Sequence, residues 1–273
     1  VSWQPLEQLV AQIDDGARVA IPPDYSGVAM AATYALLSRG VRDLHLVAVP
    51  QAGLQADLLI GAGCVKIMEA AGVSLGEIGL APRFREWAQQ GRLQMMDATC
   101  PAIQSGLQAA EKGIPFMPIR GILGSDLVAL RDQWQVIDNP YGEDDPILLV
   151  PAIRPDVALF HAPLADSRGN VWVGVRRELM LMAHASATTL VTVEENYDGD
   201  LLADPVYAAG TIPHFYITGT SLAPGGMRPL GFFGDGSVTD SEHLIRYEKL
   251  ARSEEGFFQY LEEQKIQLAG VNQ

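Results

Sequence analysis

Apolar residues recur along this chain in two alternating rhythms. Leu6, Leu9, Val10 and Ile13 have helical spacing, and Asp14-Asp15-Gly16 stops that segment. Ala17 to Ile21 reads as a short buried strand, ended by the turn Pro22-Pro23-Asp24-Tyr25-Ser26-Gly27. Val28 to Ser38 is helical again and runs into Arg39-Gly40, a pair suited to a helix C-terminus. The same alternation predicts a strand over Leu44–Val49, a helix over Leu54–Gly61 and a strand over Val65–Met68. It continues with a helix over Pro82–Gln90, a strand over Leu93–Met96, a helix over Pro101–Lys112 and an extended run over Phe116–Ile119. Trp134–Ile137 and Ile147–Val150 read as a hairpin around the acidic loop Glu143-Asp144-Asp145.

Two further buried strands, Val157–Phe160 and Leu190–Val193, flank a helix from Arg177 to Ala187. Pro205 to Ser237 reads as Gly/Pro-rich loop, Ser241 to Gln267 as one polar helix, and Ala269 onward as a frayed tail. Helices alternating with short buried strands predict an α/β protein. The expected form is a three-layer α/β/α arrangement with a mostly parallel sheet, in a single domain spanning 1–273.

With 273 residues, 48% of them hydrophobic, the chain is long enough to bury one substantial core. Its 33 acids against 19 bases give a net charge of −14, which argues against nucleic acid as a partner because phosphate recognition needs clustered Lys and Arg. A local basic pocket for an anionic ligand remains compatible with that balance. Cys64 and Cys100 form no paired motif and read as reduced thiols of a cytoplasmic protein. His45, His214 and His243 lack metal-ligand spacing, so no metal is expected. No apolar run reaches the length of a membrane span and no secretory leader is visible, so no membrane association is expected.

The richest stretch runs from Pro155 to Val171. A buried strand leads into His161-Ala162-Pro163, and the charged turn Asp166-Ser167-Arg168-Gly169-Asn170 follows; the next buried strand closes on Glu194-Glu195. Upstream stand Gly40-Val41-Arg42-Asp43-Leu44-His45-Leu46-Val47, Gly61-Ala62-Gly63-Cys64-Val65-Lys66-Ile67, and the run from Gly113 to Asp126 that contains Arg120-Gly121-Ile122-Leu123-Gly124-Ser125. Downstream stands Pro224-Gly225-Gly226-Met227-Arg228-Pro229. In this joint order the chain resembles the α subunit of family I coenzyme A transferases, most closely the glutaconate-type branch, over roughly Leu6 to Gln259.

That resemblance implies the coenzyme A transferase fold. It also implies one subunit of a hetero-oligomer, with two of each subunit, that moves CoA between an acyl-CoA and a free carboxylic acid. CoA and its thioesters would be substrates, and the nucleophilic glutamate would come from a separate β subunit, leaving no catalytic residue in this chain. The substrate-binding positions it implies are Arg120, Gly121, Gly124, Ser125, Ser26, Gly27 and Gln51. Two alternatives remain: a subunit of an acyl-CoA ring-opening hydrolase of the same superfamily, and a non-catalytic ligand-binding homologue.

Each position also has an ordinary structural reading. Arg120 can hold a carboxylate through a bidentate pair, and Gly121 and Gly124 let the backbone approach a ligand. Equally, Ser125 or Asp126 can simply cap the next helix. Adjacent carboxylates on an extended chain point to opposite sides, so only one of Glu194 and Glu195 can face a pocket, where it serves as a site group or as a structural partner at an interface. His161 ends a buried strand, where α/β sheets bind ligands, but a satisfied structural histidine fits there as well. The family's first strand is usually followed by a Gly-Gly-Phe turn, and here Pro22 to Gly27 replaces it. Hydrolase-type relatives carry a glutamate just after the strand at Leu93–Met96; here the nearby acid is Asp97, which ranks hydrolysis second.

Overall fold

The computed structural model describes residues 3–232, 238–266 and 268. Its strands are β1 (Arg18–Ile21), β2 (Leu44–Ala48), β3 (Val65–Ala70), β4 (Gln94–Asp97), β5 (Phe116–Ile119), β6 (Gln135–Asp138), β7 (Pro146–Pro151), β8 (Val157–Asp166), β9 (Val171–Trp172), β10 (Thr188–Tyr197), β11 (Thr211–Ile212) and β12 (Gly219–Leu222). The helices are α1 (Leu6–Val10), α2 (Met30–Arg39), α3 (Leu54–Gly61), α4 (Pro82–Gln89), α5 (Cys100–Glu111), α6 (Leu127–Leu130), α7 (Arg177–Ala185), α8 (Ser241–Leu250) and α9 (Glu254–Glu263).

A nine-stranded sheet carries the parallel order β12-β10-β8-β1-β2-β3-β4, with β9 added antiparallel to β8 and β11 antiparallel to β9. Both faces are covered, as the near-continuous apolar strands require. Leu36, Leu37, Leu58, Tyr247 and Phe257 pack one face, and Ile103, Leu107, Leu148, Leu179 and Met182 pack the other. The mostly parallel α/β architecture read from the alternation is the one observed.

Local chemistry sets the helix limits. Gly40 closes α2 in the left-handed conformation (φ 72°). The Thr99 hydroxyl accepts from Ala102 N at 3.3 Å to cap α5. The single helix expected over Ser241–Gln267 is two: α8 ends at Leu250, and Ser253 caps α9 by accepting from Gly256 N at 3.1 Å. Residues 233–237 of the expected loop, Gln267 and the tail from Ala269 lie outside the described residues. The two C-terminal helices are pinned to the body by Asp57, whose carboxylate accepts from Tyr247 Oη and from Phe84 N, both at 2.6 Å, while Arg83 Nε donates to Ala251 O at 2.6 Å.

Four strands depart from the sequence reading, the two-residue β11 among them, which lies in the stretch read as loop. β8 and β10 run on to Asp166 and Tyr197, so Glu194 and Glu195 lie inside a strand and not past its end. β12 falls in the stretch read as loop; its buried Thr220 and Ser221 hide the apolar signal, and α1 covers it. The expected hairpin β6–β7 forms, but with β5 it makes a separate three-stranded sheet.

Candidate active site

The chain leaves β1 toward β2, β3 and β4 on one side, and β8 toward β10 and β12 on the other. The order therefore reverses between β1 and β8. In open parallel sheets that reversal opens a crevice at the carboxyl ends of the strands, where ligands bind. The segments that converge there are Pro22–Gly27 after β1, Val49–Gly53 after β2, the second half of β8 and Ala223–Pro229 after β12.

Gly27 is required at this crossing. Its φ is +100°, and a Cβ there would stand 2.3 Å from His161 O. That proximity lets Gly27 O accept from His161 N at 2.6 Å, which fastens the β1 turn to β8. Ser26 is buried beside it and donates its hydroxyl to Glu178 Oε1, in the first turn of α7. Burial pushes the Glu178 carboxyl above its ordinary pKa.

His161 lies inside the crevice wall. Its Nε2 stands 3.0 Å from Glu194 Oε2 and its Nδ1 2.8 Å from Thr192 Oγ1, with the ring stacked on Phe232 at 5.6 Å. Glu194 is an acceptor when ionised, so Nε2 carries the proton and the Thr192 hydroxyl donates to Nδ1. Burial lowers the His161 pKa, more than Glu194 raises it, so the ring is neutral. The second oxygen of Glu194, Oε1, accepts from Gly225 N at 2.7 Å. Glu194 thus joins β8, β10 and the loop after β12 while facing a groove of about 950 Å³ that Tyr34, Pro163, Arg228 and His243 also line. Glu195 points to the other side and is exposed, as alternation along a strand demands.

Asp24 stands at the end of β1. Its Oδ2 accepts from Leu54 N at 3.0 Å, while Oδ1 is buried without a partner. Burial, with a smaller push from Asp57, raises its pKa from 3.8 to about 7. The close fit is reciprocal: a Cβ on Gly53 would lie 2.1 Å from Asp24 Oδ2. Gln51 follows the cis Val49–Pro50 bond and is exposed on the same rim.

The Arg120 segment reaches this rim from the small sheet, with Ile122 buried in the cluster that holds Val49 and Ala98. Arg120 itself is exposed and forms a fork with Asp145, Nε donating to Oδ1 at 2.7 Å. Hydrogen bonds from Arg120 and Asn139 lower the Asp145 carboxyl to about 2. Gly124 takes a left-handed φ of +80°, and Ser125 Oγ donates to Ile122 O at 2.8 Å. Asp126 precedes α6 but makes no side-chain cap.

Ser26, Gly27, His161 and Glu194 are therefore brought into one network, and the Arg120 loop stands apart from it. Glu178, Thr192 and Phe232 complete the network and carry no signal in the sequence. The Asp166–Asn170 motif is a structural turn: the Asp166 carboxylate accepts from Arg168 N, Asn170 N, Asn170 Nδ2 and Leu201 N at 2.8–3.0 Å. Among the described residues, no group of His, Cys, Asp and Glu is arranged to hold a metal ion, and no helix is long and apolar enough to cross a membrane.

Residues 4–216 match the sequence family described as Coenzyme A transferase. An uncharacterized protein of Archaeoglobus fulgidus is 31% identical over 243 residues, 86% of this chain and 52% of that protein, so the chain spans about half of that relative's length. The A-type subunit of the 3-oxoadipate CoA-transferase of Pseudomonas knackmussii is 30% identical over 261 residues, 92% of this chain and 88% of that protein. The crystal structure of glutaconate coenzyme A-transferase from Acidaminococcus fermentans superposes with a TM-score of 0.87 at 27% identity, over 96% of this chain and 88% of that chain.

Proposed function

This chain belongs to the coenzyme A transferase family, and we propose that it works as the α subunit of a two-subunit enzyme that moves CoA between an acyl-CoA and a free carboxylic acid. The observation that carries this reading is the alignment along nearly the whole chain with the A-type subunit of a CoA-transferase. The crevice chemistry supports it. Its Glu194 has both oxygens engaged, by His161 and Gly225, which suits a wall and not an attacking group. The reading therefore takes its nucleophile from the partner.

In that scheme the partner's glutamate attacks the thioester carbonyl and CoA leaves as the thiolate. The thiolate then attacks the glutamyl carbonyl of the mixed anhydride, releases the first acid and leaves an enzyme–CoA thioester, which the second acid reverses. This chain supplies the other half of the pocket. Ser26, Gly27 and Gln51 line the strand ends, and Arg120, Gly121, Gly124 and Ser125 cover the acyl group. His161 and Glu194 hold the wall between β8, β10 and the Gly225 loop. The reading takes residues 1–273 as one domain, two copies of each subunit, a cytoplasmic setting, a small carboxylic acid as acceptor and no metal.

The second reading is a subunit of an acyl-CoA ring-opening hydrolase, in which water opens a ring of the acyl group and the CoA thioester stays intact; Asp97, exposed at the end of β4, stands in place of the glutamate such relatives carry, which ranks this reading second.

Expression with and without the partner subunit tests both. The chain alone shows no CoA exchange, and the complex exchanges CoA between acids. Hydroxylamine trapping during turnover labels a glutamate of the partner; label on Glu194 or Glu195 overturns the assignment. Opening of the ring of a cyclic acyl-CoA with the thioester intact and no acceptor acid present selects the hydrolase.

A further inference from the structure

Between β5 and β6 the chain forms a strap, Arg120 to Trp134, that is fastened at both ends by ion pairs of opposite character. The first fastening is the exposed fork from Arg120 to Asp145. The second is buried. Arg131 Nη2 donates to Glu69 Oε1 at 2.6 Å, its Nη1 donates to both Met96 O and Asp97 O at 3.1 Å, and its guanidinium lies 4.8 Å from the Trp134 ring centre. Arg131 retains 7% of its side-chain exposure and Glu69 1%. Met96 and Asp97 are the last two residues of β4, so Arg131 ties the strap to the carboxyl edge of the parallel sheet. Between the fastenings only Ile122 is buried, while Gly121, Gly124, Ser125 and Asp126 are exposed.

We propose that Arg131, held by Glu69, is a positioning residue that sets where Gly121 to Ser125 meet the acyl substrate. The proposal rests on the reading of this strap as the acyl-covering segment. The geometry favours Arg131 over the exposed fork for this role. A guanidinium with three fixed acceptors and an aromatic face has one orientation, whereas the Arg120 fork is screened by water and tethers the strap to another loop. Glu69 is built to keep Arg131 there. Burial pushes its carboxyl up, but His45, Arg18 and Arg131 together hold it down at about 2, so it stays ionised. Arg18 Nη2 contacts Glu69 Oε2 at 2.5 Å. Glu69 therefore keeps a cationic partner when Arg131 is removed, which makes the test practicable.

Arg131→Met retains the apolar stem against Trp134 and removes the fork; Arg131→Lys retains the charge with a single point of attachment. Hydrogen exchange on the isolated chain is the first readout. In Arg131→Met, amides of residues 121–130 exchange at least about 10-fold faster, as expected for loss of a charge-assisted anchor, while β3, β4 and α5 keep wild-type protection. In the complex with the partner subunit, the same variant raises KM for the free acid roughly 10-fold with kcat little changed, and Arg131→Lys recovers part of the loss. Faster exchange spread through β3, β4 and α5 assigns Arg131 to the fold alone and overturns the proposal. Unchanged exchange in the strap, or a faster strap with wild-type KM, also overturns it. A wild-type complex that exchanges no CoA marks the failure of the functional reading itself, which these variant comparisons distinguish from failure of the positioning role.

Discussion

Asp24 is the carboxyl group with the clearest stability consequence. It lies at the end of β1 with Oδ1 buried and unpartnered, and its pKa rises from 3.8 to about 7 chiefly through burial. A carboxyl with a raised folded-state pKa holds its proton in the native protein after the unfolded chain has released it. Stability is therefore fully present below about pH 4, falls as pH rises toward 7, and is flat beyond. Asp24→Asn keeps the size and the acceptor for Leu54 N, and places an amide where the protonated oxygen stood. It removes the ionisation and hence the slope. Between pH 5 and pH 8 the wild type loses about two pKa units' worth, roughly 3 kcal/mol at 1.36 kcal/mol per unit. For a chain of this size that is about 6 °C in Tm. Thermal melts of both proteins at pH 5, 6, 7 and 8 read it out. The variant gains on the wild type steadily up to pH 7 and then holds constant. A difference that is flat across this range, or that favours the wild type at pH 8, refutes the reasoning.

Gly27→Ala forces a Cβ to 2.3 Å from His161 O at a φ of +100° and costs more than about 3 kcal/mol in chemical denaturation, whereas Gly16→Ala, at a φ of +76° with open space around it, costs about 1 kcal/mol. Tyr247→Phe removes the hydroxyl that donates to the buried Asp57 and lowers stability by about 1–3 kcal/mol. Because burial holds Asp57 up at about 6 and the lost bond favours its ionised form, that loss is larger at pH 8 than at pH 5, measured by urea midpoints. In the complex with the partner, Arg120→Ala raises KM for the free acid about 10- to 100-fold and Arg120→Lys recovers part of it; wild-type kinetics for both remove Arg120 from the pocket.

Local signals carried much of the fold. The strands from β1 to β4 and the helices between them are legible because each buries an apolar face of its own period. α3 falls on the predicted Leu54–Gly61, and α2 stops at the Gly40 that the sequence marks. Signals failed where burial is imposed from outside the segment. β12 is polar at Thr220 and Ser221 and becomes a strand because β10 pairs with it and α1 covers it. The break between α8 and α9 was hidden because Ser253, a capping residue, is also tolerated inside a polar helix.

The sequence by itself determined the α/β class, the ordered motifs of the coenzyme A transferase family and the positions, such as Ser26, Gly27, Arg120 and Glu194, around which a site is sought. Only the tertiary structure decided which groups meet. Ser26 finds Glu178 across 152 residues, Arg131 finds Glu69 across 62, and Arg120 finds Asp145 across 25. Periodicity reports that a residue is buried or exposed, a property of its own segment. The partner of a buried charge depends on which distant segment the sheet order brings beside it, and here that order reverses between β1 and β8.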